Sequence, residues 1–273
     1  MKSFKALASL TAVAALALSA CGSSDSSDSS GGSTKIVVGA SPVPHAELLE
    51  HIKDRAAEEG IDLEIKTYED YVQPNRALKD GDIDANFFQH LPYLEEEQAS
   101  KGYKFEHGEG VHIEPYGVYS EKIKDIKDIP EGATIAVTDD PSNQERALKL
   151  LEDNNLIKLP KDETATIHNI ADNPKNLKFT SVAPPSIPKV LPDYDAGIIN
   201  GNYALENNLK PSEDAIYLEP GEGNPYANIL VWSSDASGEK LEAIERLEKL
   251  LHSDELSSYI KEHYSDGEII PAF

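Results

Sequence analysis

The chain has 273 residues and sets 49 acidic side chains against 25 basic ones, a formal net charge of −24. That balance disfavours nucleic acid or an anionic lipid surface as a partner of the folded body, because either would repel it. The single cysteine, Cys21, excludes a disulfide framework and a cysteine-rich metal site.

Residues 1–20, MKSFKALASLTAVAALALSA, join a positive start at Lys2 and Lys5 to an apolar Ala/Leu run. This is a secretory signal pattern, shorter than the roughly 20 apolar residues of a membrane span. LSAC at 18–21 is similar to a bacterial lipobox, so Cys21 is the expected lipidation site. Residues 21–33 then form a Gly/Ser-rich tether that cannot bury apolar surface. A folded body leashed to the outer face of a cell membrane is the expectation.

KIVVGA (35–40) predicts a strand, HAELLEHIKDRAAEEG (45–60) a helix, DLEIKTY (62–68) a strand and PNRALKDG (74–81) a helix. IDANFF (83–88) is again a strand, and LPYLEEEQASKG (91–102) a helix with proline near its start. This order implies an α/β fold with a largely parallel sheet. After a less regular stretch at 111–120 the alternation restarts with strands at 134–137, 165–170, 196–201 and 228–232. Helices are expected between them at 143–156 and 202–208, and a long one at 237–253. The restart divides the body into two lobes, 34–115 plus 226–273 and 116–225, with the chain crossing between them twice.

Ligands of open α/β sheets sit beyond the carboxyl ends of strands, where helix N-termini also point. Those junctions carry the unusual residues of this chain. DANFFQHLPYL (84–94) concentrates Phe87, Phe88, His90 and Tyr93, and Tyr71 sits at another strand-to-helix junction. Because neighbours in a strand face opposite ways, only one of Phe87 and Phe88 can face a ligand. In DDPSNQER (139–146), Ser142 or Asn143 is placed to cap a helix, with Arg146 in its first turn. An arginine there suits a docked carboxylate, although an inter-helix salt bridge explains it equally well. INGNYA supplies Asn200 and Asn202, and NPYAN supplies Asn228. Amides both donate and accept, so they can hold a zwitterion without adding charge. A polar clamp facing an aromatic box describes a site for an amino acid with an apolar or soft side chain.

VVGASPVPHAELL, DYVQPNRALKDGDIDANFFQHLPYLE, DDPSNQERALKLLEDNNLIKL, INGNYA and NPYANILV together resemble the NlpA-type lipoproteins, the methionine-binding components of ABC importers. The resemblance covers essentially the whole chain. It implies a two-lobed, type II periplasmic-binding-protein fold that closes on L-methionine in the interlobe cleft. It also implies delivery to a membrane permease with a cytoplasmic ATPase, by a monomer needing no cofactor. By position, Tyr71, Phe88, His90 and Tyr93 match the side-chain pocket and Arg146 the carboxylate clamp. Asn200, Asn202 and Asn228 match polar contacts to the ligand backbone, with Asn143 beside them. One departure is the proline-rich FTSVAPPSIPKVLP (179–192), where the family has an arginine.

Three other readings compete. An enzyme would need an assembled constellation, and the two S-x-x-K matches lack their companion elements. A zinc- or manganese-binding transporter lipoprotein would use His90, His107 and His112 with Glu106, Glu109 and Glu114, at spacings that match no helix face or finger. An adhesive lipoprotein would have no use for Arg146 and three asparagines at strand ends.

Overall fold

A computed structural model describes residues 32–273. The signal, Cys21 and nearly all of the tether lie outside them. Among the described residues no helix is long and apolar enough to cross a membrane.

Two mixed sheets organise the chain. The first has the order β11-β4-β10-β3-β1-β2, built from β1 (Thr34–Ala40), β2 (Ile61–Thr67), β3 (Ala85–His90), β4 (Phe105–Ile113), β10 (Ala227–Ser233) and β11 (Ile270–Pro271). The second has the order β7-β6-β8-β5-β9, built from β5 (Gly117–Tyr119), β6 (Thr134–Thr138), β7 (Lys178–Val182), β8 (Ala196–Ile199) and β9 (Ala215–Leu218). β1 runs parallel to β2 and β3, and β6 parallel to β7 and β8, as crossover helices require. β10 enters antiparallel between β3 and β4. The chain passes from one sheet to the other between Ile113 and Gly117, and back between Leu218 and Ala227.

Helices cover both sheets: α1 (Glu47–His51), α2 (Lys53–Glu58), α3 (Gln73–Asp80), α4 (Leu91–Lys101), α5 (Pro141–Asp153), α6 (Ile187–Val190), α7 (Gly201–Glu206), α8 (Pro211–Asp214), α9 (Gly238–Leu251) and α10 (Asp254–His263). Gly102 ends α4 at φ 70°, a left-handed turn that glycine takes without steric cost. Each sheet has its own core. Ile36, Val38, Phe87 and Leu230 pack against Leu247 and Leu251 of α9 in the first. Ile135, Val137 and Ile198 pack against Leu148 and Leu151 of α5 in the second. A third cluster joins them, with Tyr71, Phe88 and Tyr93 against Ile199 and Tyr203.

Several local expectations give way. The helix expected over 45–60 breaks into α1 and α2 at Ile52, behind a kinked Pro42–Ala46 turn. Residues 165–170 form no strand, because Asn169 Oδ1 accepts the Thr166 N–H at 2.7 Å and offers the backbone a turn instead. The less regular stretch at 111–120 holds the end of β4 and all of β5; β10 supplies β4 with its partner through two register shifts. The terminal helix stops at Leu251 and α10 follows. In the proline-rich segment, Pro184 begins one short helical turn and Pro188 is second in the next, where a missing N–H costs nothing. Ile187 and Leu191 from this segment reach the joining cluster.

Candidate functional site

One cavity lies where the two sheets face each other. Tyr71, Phe88, His90, Tyr93, Asn143, Arg146, Asn200, Asn202 and Asn228 all line it. Gln89, Glu114 and Gly201 complete the lining.

The aromatic side comes from the end of β3 and the elements beside it. Every residue of β3 is buried, and the strand alternates as expected: Phe88 faces the cavity while Phe87 packs into the first core. Behind it the Gln89 amide exchanges hydrogen bonds with Asn75 at 2.8 and 3.0 Å, and Asn86 joins them, fixing β3 to α3. Tyr93 donates its hydroxyl to the Tyr71 carbonyl at 3.0 Å, and the rings of Tyr71, Phe88 and Tyr93 lie 5.9 Å apart. These packed edges and tilted faces make an apolar wall with little freedom.

His90 caps α4. Its Nδ1 accepts the Tyr93 N–H at 3.2 Å, which puts the proton on Nε2, and Nε2 donates to Asn143 Oδ1 at 3.1 Å. Burial, with Arg146 nearby, pulls its pKa down to about 3, so the ring is neutral. The helix-capping residue of α5 is Asp140, not Ser142 or Asn143. Its Oδ1 accepts both N–H groups of Asn143, backbone and side chain, each at 2.9 Å. Asn143 thereby turns its own Oδ1 toward His90 and toward Asn200 Nδ2 at 3.0 Å. Burial raises the Asp140 carboxyl to about 6.

Arg146 is buried and already engaged. Nε and Nη2 donate to the Glu219 carboxylate at 3.2 and 2.5 Å, and Nη2 also donates to the Glu114 carbonyl at 3.0 Å. The guanidinium sits over the Tyr226 ring at 4.2 Å and the Tyr116 ring at 4.9 Å. The structure shows a salt bridge for this arginine, to Glu219 just past β9 rather than to a second helix, and places the side chain in the cavity lining.

α7 brings the remaining polar groups. Tyr71 donates to Asn202 Oδ1 at 2.5 Å across the cleft, and the Asn202 N–H donates to Glu114 Oε2 at 2.7 Å. Gly201 permits this approach, since a Cβ there would lie 2.7 Å from the Glu114 Cβ. Asn200 Oδ1 is buried and has no partner among the described residues. On β10, Asn228 sits in register with His90 on one side and His112 on the other.

Gln89, Glu114 and Gly201 line the cavity beyond the residues expected there, and Glu114 is expected only under the metal reading. Glu114 lies one residue past β4. His112 Nε2 lies 2.9 Å from its Oε1 and His45 Nε2 lies 3.2 Å from it, with His45 also 3.1 Å from Asn228 Oδ1. Burial lowers the His45 pKa to about 4 and that of His112 to about 3, and raises that of Glu114. The edge of Phe87 packs on both rings, 4.9 and 5.3 Å between centroids. Two neutral imidazoles thus act as N–H donors to one buried carboxylate.

His45, His112 and Glu114 also bring their ligand atoms within 4.8 Å of one another, as a metal site would. The surroundings of the two rings do not fit a metal. A metal on each Nε2 leaves a proton on Nδ1, and both Nδ1 atoms are buried without an acceptor. His90, His107 and His112, grouped by sequence proximity, have separate partners: Asn143, the Gly108 carbonyl and Glu114.

A profile of the NlpA lipoprotein family matches residues 36–273. The chain is 42% identical over 247 residues to the methionine-binding lipoprotein MetQ of Bacillus subtilis (strain 168), covering 88% of this chain and 89% of that one. It is 37% identical over 215 residues to the D-methionine-binding lipoprotein MetQ of Escherichia coli (strain K12), covering 77% and 78%. Among solved structures, a lipoprotein of Actinomyces odontolyticus superposes with TM-score 0.84 at 47% identity, covering 88% of this chain and 99% of that one. A nutrient-binding protein of Burkholderia cenocepacia bound to methionine superposes with TM-score 0.79 at 40% identity, covering 87% and 100%.

Proposed function

The chain belongs to the NlpA lipoprotein family, and on that premise we propose that it captures L-methionine between its two lobes and delivers it to an ABC permease driven by a cytoplasmic ATPase. It is a binding protein, not an enzyme. It works as a monomer on the extracytoplasmic face of the cell membrane, held there through lipidated Cys21. The lobes divide at 34–115 plus 226–273 and at 116–225.

The observation that carries the reading is the convergence of nine residues, aromatic, amide and arginine, from five separate stretches on one cavity. Phe88, Tyr71 and Tyr93 would take the thioether, since sulfur–ring contacts contribute roughly 0.3–1.5 kcal/mol each. His90, neutral and hydrogen-bonded to Asn143, sets the depth of that wall. Asn228 and Asn202 would hold the ligand backbone. Arg146 would offer its carboxylate contact from Nη1, the nitrogen with no hydrogen-bond acceptor among the described residues.

The test is calorimetric titration of unfolded and refolded protein, cleared of trapped ligand, with L-methionine, leucine, glutamine and zinc. Tight binding of methionine alone, lost in Asn228→Ala, supports the reading. Heat with another amino acid but none with methionine would keep the fold and reject the ligand, and heat with zinc alone would reject the site.

A further inference from the structure

Phe88 keeps its place in the aromatic wall without help from the sheet. β10 pairs Ile229 with Gln89 and Leu230 with Phe87, stepping over Phe88, and β1 ends at Ala40 opposite Phe87. The residue that faces the cavity is therefore the extra one of a β-bulge, standing opposite no residue of either neighbouring strand. A bulge re-aims the side chain it carries, and it also frees that piece of backbone from the ladder that would fix it.

Three buried amides supply the missing restraint. Asn86 and Gln89 bracket the bulge, and in a regular strand residues three apart point to opposite faces. Here Gln89 Nε2 donates to Asn86 Oδ1 at 2.9 Å, so the bulge has turned the two side chains toward each other. Asn75, in the first turn of α3, closes the group. Its Oδ1 accepts from Gln89 Nε2 at 2.8 Å and from Asn86 Nδ2 at 2.9 Å, and its Nδ2 donates to Gln89 Oε1 at 3.0 Å. All three residues are buried, and every amide oxygen and nitrogen among their side chains is bonded within the group. Such a fully satisfied buried network specifies one arrangement and resists others.

We infer that Asn75, which lies outside the cavity lining, is a positioning residue for Phe88 and thereby sets the length of side chain the cavity accepts. The inference rests on the amino-acid-binding reading above and deepens it to side-chain selectivity. With the amides locked, the Phe88 ring keeps a fixed station against Tyr71 and Tyr93, each 5.9 Å away between centroids. An unbranched side chain one methylene longer than that of methionine then meets a wall that does not yield. Without Asn75, the Asn86 and Gln89 amides lose their common acceptor, and the unpaired bulge is free to shift with its ring. The ligand would still be bound, against a softer wall.

The experiment titrates refolded wild type, Asn75→Ala, Phe88→Ala and the double variant with L-methionine and L-ethionine, the homologue with one more methylene. Wild type is expected to prefer methionine by about tenfold or more, the scale of discrimination an apolar wall gives against one methylene. Asn75→Ala should narrow that preference to about threefold or less, with methionine itself weakened by about tenfold as preorganisation is lost. In the Phe88→Ala background the same substitution should change methionine affinity by less than about twofold, because residues acting as one unit are not additive. Effects of Asn75→Ala and Phe88→Ala that simply multiply would overturn the inference. So would equal weakening of both ligands by Asn75→Ala, or a wild type that takes both alike. If Asn75→Ala does not fold, Asn86→Ala decides, since it keeps the exchange between Asn75 and Gln89. It should narrow the preference in the same direction, and an unchanged ratio would overturn the inference. Tight binding of another amino acid in place of methionine would reject the methionine assignment. The same cycle with that ligand and its one-methylene homologue would still decide the role of Asn75.

Discussion

Tyr71 and Asn202 meet hydroxyl to amide oxygen at 2.5 Å, one carried by the connection from β2 to α3 and the other by α7 on the second sheet's side of the cleft. Neither belongs to a core of its own sheet. Their bond exists only when the two sides are together, so it reports closure. Removing the hydroxyl in Tyr71→Phe should weaken methionine binding by about 1–2 kcal/mol, the cost of leaving a buried acceptor unpaired. Calorimetry checks the affinity, and a thermal midpoint close to wild type checks that each side remains folded. An unaltered affinity would remove this pair from the closing mechanism.

Arg146 and Glu219 form a buried pair, so breaking it from one side is costly. Arg146→Ala should destabilise the protein by about 3–5 kcal/mol because Glu219 stays buried without its partner. The double variant Arg146→Ala/Glu219→Ala should recover much of that stability while methionine affinity stays reduced. Denaturant unfolding and calorimetry on the three proteins separate the two effects.

Phe87 and Phe88 are sequence neighbours with different duties. Phe87→Ala should cost about 3–5 kcal/mol of stability, as emptying a core aromatic site does. Phe88→Ala should act mainly on methionine affinity, since its ring faces the cavity. Paired unfolding and binding measurements would find the two effects exchanged if the strand register were shifted by one residue.

The pH dependence of stability has opposed contributions. His45, His90 and His112 are held at about 4, 3 and 3, below the ordinary 6.5, so the unfolded chain binds more protons and stability falls as pH drops below 6.5. Asp140 at about 6, Glu206 at about 7 and the raised Glu114 act in reverse, because the folded chain binds more protons above their ordinary values. The two sets offset each other down to about the ordinary Glu value of 4.5. Below that the Glu carboxyls are protonated in both states and Asp140 follows at its ordinary 3.8, while folded His45 takes up its own proton near 4, so His90 and His112 carry the remaining loss down to about 3. Stability should then fall with a slope of at most about 2–3 kcal/mol per pH unit. Denaturant unfolding at stepped pH tests this; a uniform decline from pH 6.5 would show that the carboxyls do not offset the histidines.

Cys21→Ala should move the protein from the membrane to the soluble fraction on fractionation of the host. Continued membrane association would reject the lipid anchor.

Much of the site was legible because its residues cluster at strand-to-helix junctions. FFQHLPY is conspicuous for its aromatics, and INGNYA and DDPSNQER are conspicuous as helix starts. Glu114 and His112 stood out only as members of a metal grouping, since one carboxylate among 49 acidic residues carries no mark of its burial. Their meeting with His45 was opaque: 67 positions separate His45 from His112 in the chain, and only the insertion of β10 sets Asn228 between His90 and His112. The fold class followed from alternating runs, whereas β4 did not. Its sequence FEHGEGVHI has weak strand propensity, and pairing with a distant strand decides its conformation.

That late strand also governs when the first sheet can exist. β10 lies between β3 and β4, so until residues 227–233 are available the strands from 34 to 113 form two unjoined pieces with open edges. A chain emerging N-terminus first must therefore wait through more than a hundred residues, including all of the second sheet, before its opening segment can settle. The second sheet, whose strands are continuous in the chain, has no such delay. Its assembly is the natural first event, and the N-terminal segment behind the tether is among the last to become rigid.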